Sequence, residues 1–261
     1  MNHGIGTATT GEMAARLTGP QVALLPVGAT EQHGPNLGMA VDYRIAEELA
    51  YRVADELDGA AVVVPPLPYG LSGHHMAFAG TVSISADAFS AVLLDVVGSL
   101  ASHGIRHFLF VNGHMGNQSI LGVLTNRIQF ELGYHAASAF YFSQAKDVIA
   151  RHAKTARWGH ACEVETSVAM ALVPELVRGD SLVPGDLIEE YGYLEDNYLP
   201  HALQVPKSFA ERTRNGAFGD ATLATRKAGE EIVATAVERT AAFAREFLAK
   251  PFLDASEPGR A

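Results

Sequence analysis

The chain is poor in cysteine and contains no long apolar run. Its 261 residues include one cysteine, Cys162, so an internal disulfide cannot form and a reducing cytoplasm is the expected compartment. No apolar run approaches the roughly 20 residues that span a bilayer, and residues 1–17 lack both the basic start and the apolar stretch of a secretory signal. We therefore expect a cytoplasmic protein that makes no contact with a membrane.

Positive charge is also scarce. The chain has 19 Lys and Arg residues against 29 Asp and Glu residues, for a formal net charge of -10, and no Lys/Arg cluster is longer than two residues. Nucleic-acid binding depends on basic patches that neutralise phosphates, so the composition argues against a nucleic-acid partner. We expect a small-molecule substrate instead.

Short apolar runs alternate with amphipathic stretches along the sequence. Runs short enough to be buried strands lie at 22–27, 60–64, 107–111 and 136–142. Helical periodicity separates them at 43–57 and between Ser85, a candidate N-cap, and Gly104, a candidate stop, and it returns at 223–250. The pattern predicts an α/β fold, and the absence of a linker predicts a single domain over 1–261.

Polar residues follow the first predicted strand. Glu31 and His33 are two residues apart, so in extended backbone they project to the same side, where a carboxylate and an imidazole can share a metal or a proton. An isolated pair of this kind is more often a solvated surface pair. Asp42 follows just before the first predicted helix, where capping of the helix and metal ligation remain competing roles.

The next two strands also end in histidines. His75 closes the segment after the second strand, and His114 lies between two glycines after the third. Because the carboxyl ends of parallel strands meet in one crevice, Glu31, His33, His75 and His114 are expected to converge. The glycine-rich turn around His114 lacks the lysine of a phosphate-binding loop, which disfavours a nucleotide-binding module.

A fourth polar cluster precedes the apolar stretch at 168–173. If the segment is helical, His160 and Glu163 share a face and either completes a metal site or serves as an acid or base. Alternatively, Glu163 and Glu165 are first-turn acids favoured by the helix dipole. Cys162 is expected to be a small buried thiol rather than a nucleophile.

Taken together, these motifs resemble the creatininase (creatinine amidohydrolase) family. The resemblance rests on Pro-Val-Gly-Ala-Thr-Glu-Gln-His-Gly-Pro at 26–35, Asp42, Ser72 with His75 and Phe-Ala-Gly-Thr at 78–81, Asn-Gly-His-Met-Gly-Asn at 112–117, His-Ala-Cys-Glu-Val-Glu-Thr-Ser at 160–167, and Gly-Asp at 219–220 with Ala-Thr at 224–225. It covers the chain from about residue 20 to about 250. Several motifs in the same order are far more specific than any one of them.

The resemblance implies a three-layer α/β/α sandwich around a largely parallel sheet, with two divalent metal ions (Zn, Mn or Fe) in each subunit. It implies Glu31 and His114 as ligands of one ion, His33 and Glu163 as ligands of the other, and Asp42 as the bridging carboxylate. Catalytic roles fall on His160, as proton donor or oxyanion holder, and on Glu163. The residues expected to contact substrate are Ser72, His75, Met115 and Trp158.

Two positions depart from the family pattern. True creatininases carry an aromatic residue and a metal-binding Glu directly after the Asn-Gly-His turn, whereas this chain has Met115 and Gly116. The resemblance then implies Glu163 as the compensating ligand and disfavours creatinine as the substrate. Ala79 replaces a usual proline and loosens a loop on the substrate side.

The expected activity is hydrolysis of a C–N bond in a small, cyclic amide or a formamide through a metal-bound hydroxide. The alternatives are hydrolytic ring opening of a cyclic polyol ketone, trimming of a peptide end, and a binding protein with a degenerate site. The apolar and aromatic residues within 183–218 need covering, which predicts a homo-oligomer, with a hexamer favoured by the resemblance.

Overall fold

The computed structural model describes residues 3–188 and 206–249. Its centre is a parallel four-stranded sheet of order β2-β1-β3-β4, formed by β1 (Val22–Val27), β2 (Ala61–Val63), β3 (His107–Asn112) and β4 (His135–Phe140). The four predicted strands are confirmed, with small changes in their bounds: the second is one residue shorter at each end, the third is one residue longer, and the fourth begins one residue earlier and ends two residues earlier. There the chain turns directly into a helix at Tyr141.

Helices cover both faces of this sheet. They are α1 (Thr10–Arg16), α2 (Val41–Asp55), α3 (Ala86–Ser102), α4 (Gln118–Phe130), α5 (Tyr141–Gln144), α6 (Lys146–His152), α7 (Glu163–Leu172) and α8 (Arg226–Ala249). Short 3₁₀ turns lie at Ile5–Thr7, Gly73–His75, Met115–Asn117, Pro174–Leu176, Gly179–Ser181, Phe209–Glu211 and Ala221–Leu223. No helix in the described parts of the chain is both long and apolar enough to cross a membrane.

The central strands are buried on both faces, which explains their continuous apolar sequences. On β1, Val22 and Leu24 belong to the cluster packed by α2, α7 and α8, whereas Ala23 and Leu25 belong to the cluster packed by α3 and α4. This alternation follows from the two-residue period of a strand. The expected α/β/α sandwich is therefore confirmed.

The helix boundaries show which of two polar residues, Ser85 and Asp42, caps a helix. Ser85 caps α3, because its hydroxyl accepts a hydrogen bond from the Ala88 amide, and Gly104 follows that helix with a φ of 96°. In α2, by contrast, Asp42 is the second helical residue, and the N-cap, Ala40, makes no side-chain capping bond. The capping interpretation of Asp42 is therefore wrong, and its carboxylate is available for the site.

The structure tests the expectation for Cys162 and describes part of the irregular region at 183–218. Cys162 is fully buried and free, as expected, and burial raises the pKa of its thiol. In the irregular region, the aromatic and apolar residues at 189–205 lie outside the described residues. Its described parts contain the buried Phe209.

Close packing of α7 against α8 depends on Gly229. A methyl group added there would lie against the carbonyl oxygen of Ser167. We expect Gly229→Ala to lower the free energy of unfolding by about 1–3 kcal/mol, because backbone cannot move aside as a side chain can. In α3, nothing lies within 4 Å of a methyl group added at Gly98, so Gly98→Ala should raise it by about 0.5–1 kcal/mol. Denaturant titration measures both, and a fully stable Gly229→Ala protein would contradict this packing.

Candidate metal centre

Four ionisable side chains meet at the carboxyl edge of the sheet. Glu31 and His33 lie in the loop after β1, Asp42 in the first turn of α2, and His114 in the turn after β3, and none is more than 4% exposed. The strand exits predicted that Glu31, His33 and His114 converge, whereas for Asp42 the sequence left capping and metal ligation as competing roles. Burial of so many charged groups demands compensation within the cluster itself.

Two glycines allow α2 to approach the strand ends. A methyl group at Gly28 would lie against the backbone of Tyr43, and one at Gly113 against the carbonyl oxygen of Asp42. Any larger residue at either position would push the first turn of α2 away from the sheet. The small residues after β1 and β3 thus place the Asp42 carboxylate between the two loops that carry histidines.

The Asp42 carboxylate lies between His33 and His114. Its Oδ1 is 3.1 Å from His33 Nε2, and its Oδ2 is 3.2 Å from His114 Nδ1. On the side of His114, the Glu31 Oε1 atom lies 3.3 Å from Nδ1. On the side of His33, the Glu165 Oε2 atom lies 3.6 Å from Nε2. Two half-sites therefore share the central carboxylate.

The carboxylate beside His33 belongs to Glu165 and not to Glu163, which corrects the expectation for Glu163. The Glu163 side chain accepts hydrogen bonds from the backbone amides of Lys154, Thr155 and Asp220 and from the Thr155 hydroxyl. These bonds lower its pKa against the effect of burial. It does not line the pocket above the cluster. Glu163 therefore ties three segments together, and in this structure its carboxylate is engaged by these donors rather than facing His33.

Both central histidines are oriented by backbone carbonyl groups. His33 Nδ1 lies 3.1 Å from the Glu31 carbonyl oxygen, and His114 Nε2 lies 3.2 Å from the Leu71 carbonyl oxygen. A carbonyl only accepts, so these nitrogens are assigned as the donors. In the neutral rings, the nitrogens facing Asp42 then carry the lone pairs, which is how metal-binding histidines are held by their surroundings.

The charges in the cluster compensate one another through large pKa changes. Burial disfavours the charged form of His33, but Asp42 and Glu165 raise its pKa well above the ordinary value. Glu31 and Asp42 likewise overcome burial and raise the pKa of His114 to about 10. The pKa of Asp42 is below its ordinary range, because the facing His33 and His114 outweigh burial. Without a metal, protons on the histidines balance the carboxylates.

The donor set fits divalent metal ions. Ligand atoms lie within 4.8 Å of one another in several groups, among them Glu31 with His33 and Asp42, and His33 with His160 and Glu165. His33 Nε2 and Asp42 Oδ2 are buried and make no hydrogen bond of acceptable geometry with the described residues. Mixed imidazole and carboxylate donors suit Zn, Mn and Fe.

His160 lies beside the cluster with one nitrogen already engaged. Its Nε2 is 2.7 Å from the Gln32 backbone carbonyl oxygen, so the proton is assigned to Nε2. Its Nδ1, 3.8 Å from Glu31 Oε1, faces the cluster. Burial, together with the charge of His33, lowers the pKa of His160 well below the ordinary value and keeps the ring neutral.

The side chain of Gln32 links these groups, and sequence reasoning missed it. Its amide nitrogen lies 2.8 Å from His75 Nδ1 and 3.1 Å from the Gly216 carbonyl oxygen, and its own oxygen accepts from the Gly34 amide. The amide donates to His75, so His75 Nε2, 3.4 Å from Glu31 Oε1, is the protonated nitrogen. The only signal in the sequence was its position between Glu31 and His33.

The predicted substrate contacts divide into two groups. His75, Met115 and Trp158 line a pocket of about 630 Å³ above the cluster. Ser72 does not line it: the residue is fully buried, and its hydroxyl donates to Glu31 Oε2 at 2.6 Å. Ser72 therefore orients a candidate ligand rather than a substrate.

The pocket has further walls that the sequence did not reveal. The turn Phe209–Glu211 and the segment around it contribute Lys207, Phe209 and Arg212, and His74 stacks on His114 with ring centroids 5.7 Å apart. The additional aromatic lining residues are Phe140, Phe142 and Phe218. The segment at 207–212 has no periodic pattern in the sequence, so its position at the site is seen only in the folded structure.

The fold and the buried cluster define an α/β sandwich protein with a candidate metal site. The family profile described as "Creatininase: Creatinine amidohydrolase" matches residues 6–244, and the chain belongs to that family. Among its relatives, the mycofactocin precursor peptide peptidase of Mycolicibacterium smegmatis is 36% identical over 90% of this chain and 87% of its own length. The creatinine amidohydrolase of Pseudomonas putida is 30% identical over 93% of this chain and 96% of its own length.

Solved structures agree with this assignment. The structure described as "Creatininase Mn" has a TM-score of 0.80 at 28% identity and covers 96% of this chain and 100% of its own. The resemblance found in the sequence is thereby confirmed, as is the assignment to metal-dependent hydrolases.

Glu165 and Glu163 provide a matched pair of substitutions. We expect Glu165→Gln to lose at least one equivalent of bound metal and most activity, because an amide oxygen is a poorer ligand than a carboxylate. Glu163→Gln should keep its metal and lower the free energy of unfolding by about 1–3 kcal/mol, because an amide cannot accept all four hydrogen bonds. Elemental analysis and denaturant titration measure these effects. Metal loss confined to Glu163→Gln would reverse the assignment.

Proposed function

We propose that the protein is a dinuclear metal-dependent hydrolase that cleaves the C–N bond of an amide within a single catalytic domain. The observation that carries the proposal is the position of Asp42, whose two oxygens face histidines on opposite sides. Glu31, His114 and Asp42 would hold one ion. His33, Glu165 and Asp42 would hold the other.

Two divalent ions bound here would lower the pKa of a water molecule and polarise the substrate carbonyl. The related solved structures include the manganese form and a creatininase variant of Zn-Zn type, which supports Mn or Zn. The turn around Gly116 supports the substitution of Glu165 for the ligand that true creatininases carry there. A methyl group at Gly116 would already lie against the His114 ring.

Within this site, His160 moves the proton. Its Nδ1 faces the cluster with a lone pair, while Nε2 donates to the Gln32 carbonyl. Nδ1 therefore accepts a proton from the attacking water and returns it to the leaving nitrogen. The Gln32 carbonyl stabilises the imidazolium that forms between these two transfers.

The geometry favours proton transfer over oxyanion holding as the role of His160. We expect His160→Ala to retain its metal ions and to lose turnover by about 10²–10⁴-fold. His103→Ala, an exposed position at the end of α3, is the matched control and should behave as the unmodified protein. Elemental analysis and steady-state kinetics measure both. Metal loss in proportion to the activity loss would instead make His160 a ligand.

Amide hydrolysis is compatible with two substrate classes. One is a small cyclic amide or a formamide, and the other is the end of a peptide. The Pseudomonas putida relative supports the first, and the Mycolicibacterium smegmatis relative supports the second. A pocket of about 630 Å³ has the size of a small-ligand site and also accommodates a short peptide. Ring opening of a cyclic polyol ketone is a further candidate, favoured by the 28% identity to a 3-dehydro-scyllo-inosose hydrolase of Thermotoga maritima.

A panel assay separates these classes. Protein loaded with Mn or Zn is incubated with short peptides, formamides, cyclic amides including creatinine, and cyclic polyol ketones, and the products are analysed for new amine or ammonia. We expect amine release from an amide, two metal ions per subunit, and loss of activity on chelation. A protein with two bound ions that opens only the ketones would contradict C–N hydrolysis, and one that hydrolyses nothing would contradict the enzyme assignment.

The proposal also includes the oligomeric state of the protein. We propose a homo-oligomer, with a hexamer favoured, and α4 carries an apolar surface that suits an interface. Phe130 on this helix is 77% exposed and Val123 is 54% exposed. Light scattering gives the mass in solution.

A further inference from the structure

His75 carries a protonated ring nitrogen in the wall of the pocket. The Gln32 amide donates to His75 Nδ1 at 2.8 Å, so the proton of the neutral ring is on Nε2. Nε2 lies 3.4 Å from Glu31 Oε1, farther than the about 2.7–3.2 Å of an N–H···O hydrogen bond. It makes no hydrogen bond of good geometry with the described residues. A buried donor without an acceptor is unfavourable, so the site favours a ligand that brings one.

Two backbone groups fix the direction of the Gln32 amide. Its Oε1 accepts from the Gly34 amide at 2.8 Å, and its Nε2 donates to the Gly216 carbonyl oxygen at 3.1 Å. Exchanging the two atoms would set donor against donor and oxygen against oxygen, so the assignment does not depend on His75. The second hydrogen of Nε2 is directed at His75 Nδ1. A proton on Nδ1 would face this donor, so the His75 ring is held neutral.

Three neighbouring rings hold the His75 imidazole. Its centroid lies 4.1 Å from that of Phe209, 4.4 Å from that of His160 and 4.3 Å from that of His74. Packing of this kind restrains rotation of the ring, and the Gln32 amide decides which nitrogen carries the proton. The donor is therefore oriented before a ligand binds, which is the condition for stabilising a developing charge without reorganisation.

His75 and His160 flank the same carboxylate oxygen with opposite hydrogen-bonding character. Glu31 Oε1 lies 3.4 Å from His75 Nε2 and 3.8 Å from His160 Nδ1. The first nitrogen carries a proton, and the second carries a lone pair, because His160 Nε2 donates to a backbone carbonyl group. A reacting group beside Glu31 would therefore meet a hydrogen-bond donor and a proton acceptor at the same time.

The same protonation argues against His75 as a metal ligand. Ligand atoms of Glu31, His75 and His160 lie within 4.8 Å of one another, a spacing that by itself would suit an ion. An imidazole nitrogen binds a metal ion through its lone pair, and the lone pair of His75 is at Nδ1, where the Gln32 amide donates to it. His75 is therefore suited to donate to a ligand and not to bind the ion.

We propose that His75 stabilises the oxyanion of amide hydrolysis through its Nε2–H group, with Gln32 as the positioning residue that maintains this tautomer. The inference rests on the proposed amide hydrolysis and adds a catalytic residue to it. As the oxygen of water bonds to the carbonyl carbon, the electron pair of the C=O bond moves to the carbonyl oxygen, which accepts from His75. When that pair returns, the C–N bond breaks and the nitrogen takes a proton from His160. A neutral imidazole can polarise a carbonyl group in this way.

Methylphosphonate, a small tetrahedral anion, tests the donor without turnover. Calorimetry measures its binding to Mn-loaded unmodified protein, His75→Phe and His75→Gln. Phenylalanine keeps a ring but has no donor, whereas glutamine places an amide donor near the position of Nε2. We expect His75→Phe to bind about 10- to 100-fold more weakly, the range that a hydrogen bond to a charged group provides, and His75→Gln to recover most of this loss. Equal affinities in all three proteins, or no saturable binding to the unmodified protein, would overturn the proposal.

Kinetics on an amide that the protein hydrolyses separates the transition state from the ground state. We expect His75→Phe to lower kcat by about 10²–10³-fold, the cost of one oxyanion donor, with KM nearly unchanged and bound Mn retained. His103→Phe, the same substitution at an exposed position, is the matched control. A loss carried by KM alone, or loss of Mn in elemental analysis, would show that His75 serves ground-state binding or the ligand Glu31 and would reject the oxyanion role.

A double variant tests whether Gln32 acts through His75. Gln32→Met should lower kcat at least about 10-fold, because a histidine in the wrong tautomer loses its function even where its position is kept. In the His75→Phe background the same substitution should have little further effect on kcat. Losses that multiply in the double variant would reject Gln32 as the positioning residue. Circular dichroism verifies the fold of each variant.

The two proposals fail in different ways. Weaker methylphosphonate binding by His75→Phe without hydrolysis of any amide would refute the proposed function and leave the donor in place. Hydrolysis of an amide by His75→Phe at the unmodified rate would refute only the oxyanion role of His75.

Discussion

The arrangement depends on one electrostatic constraint, the burial of the Asp42 carboxylate between two histidines that face two further carboxylates. Asp42 is 2% exposed, and Glu31 and Glu165 beside it are 1% and 4% exposed. Removing such charges from water is costly unless cations compensate them. Backbone carbonyl groups fix His33 and His114, and two glycines let α2 approach the sheet. Together these features hold the opposite charges close to one another. The same constraint makes the cluster a candidate metal centre, because divalent ions compensate several carboxylates at once.

The part of this site that follows the strands could be predicted from the sequence, because strand exits obey a simple rule. Val22–Val27 and His107–Asn112 are apolar and parallel, so the residues after them had to meet at one edge. Glu31, His33 and His114 met there as expected. The choice between Glu163 and Glu165 did not follow from any such rule. The helical pairing of His160 with Glu163 required a helix that includes both, but α7 begins at Glu163 itself and Ala161 before it has a φ of 50°. That left-handed residue directs its amide to Glu165 Oε2, at 2.6 Å, and turns Glu165 toward His33.

The remaining contributors come from segments that carry no pattern in the sequence. In an extended loop, Gln32 would project away from Glu31 and His33, and its place at the site is seen only in the contacts of its amide with His75 and the Gly216 carbonyl. Phe209 and Arg212 lie far along the chain, in and directly after a single 3₁₀ turn that is too short to show a periodic pattern in the sequence. Ser72 was predicted at the site from a family motif. Only the structure shows that Ser72 is buried and that its hydroxyl donates to Glu31. Sequence periodicity thus locates the scaffold, while irregular backbone decides which side chains complete the site.

The turn after β3 connects the ligand set to substrate selection. In this chain, Gly116 fits closely between the His114 ring and the Leu71 carbonyl oxygen, so the turn itself has no room for a metal-binding side chain. Glu165, near the start of α7, brings its carboxylate to within 3.6 Å of His33 Nε2, and His74 stacks on the His114 ring. The pocket wall next to the candidate metal centre includes His74, Phe209, Lys207 and Arg212. In the proposed ligand set, a carboxylate from a helix in place of one from this turn would therefore change which side chains a substrate meets.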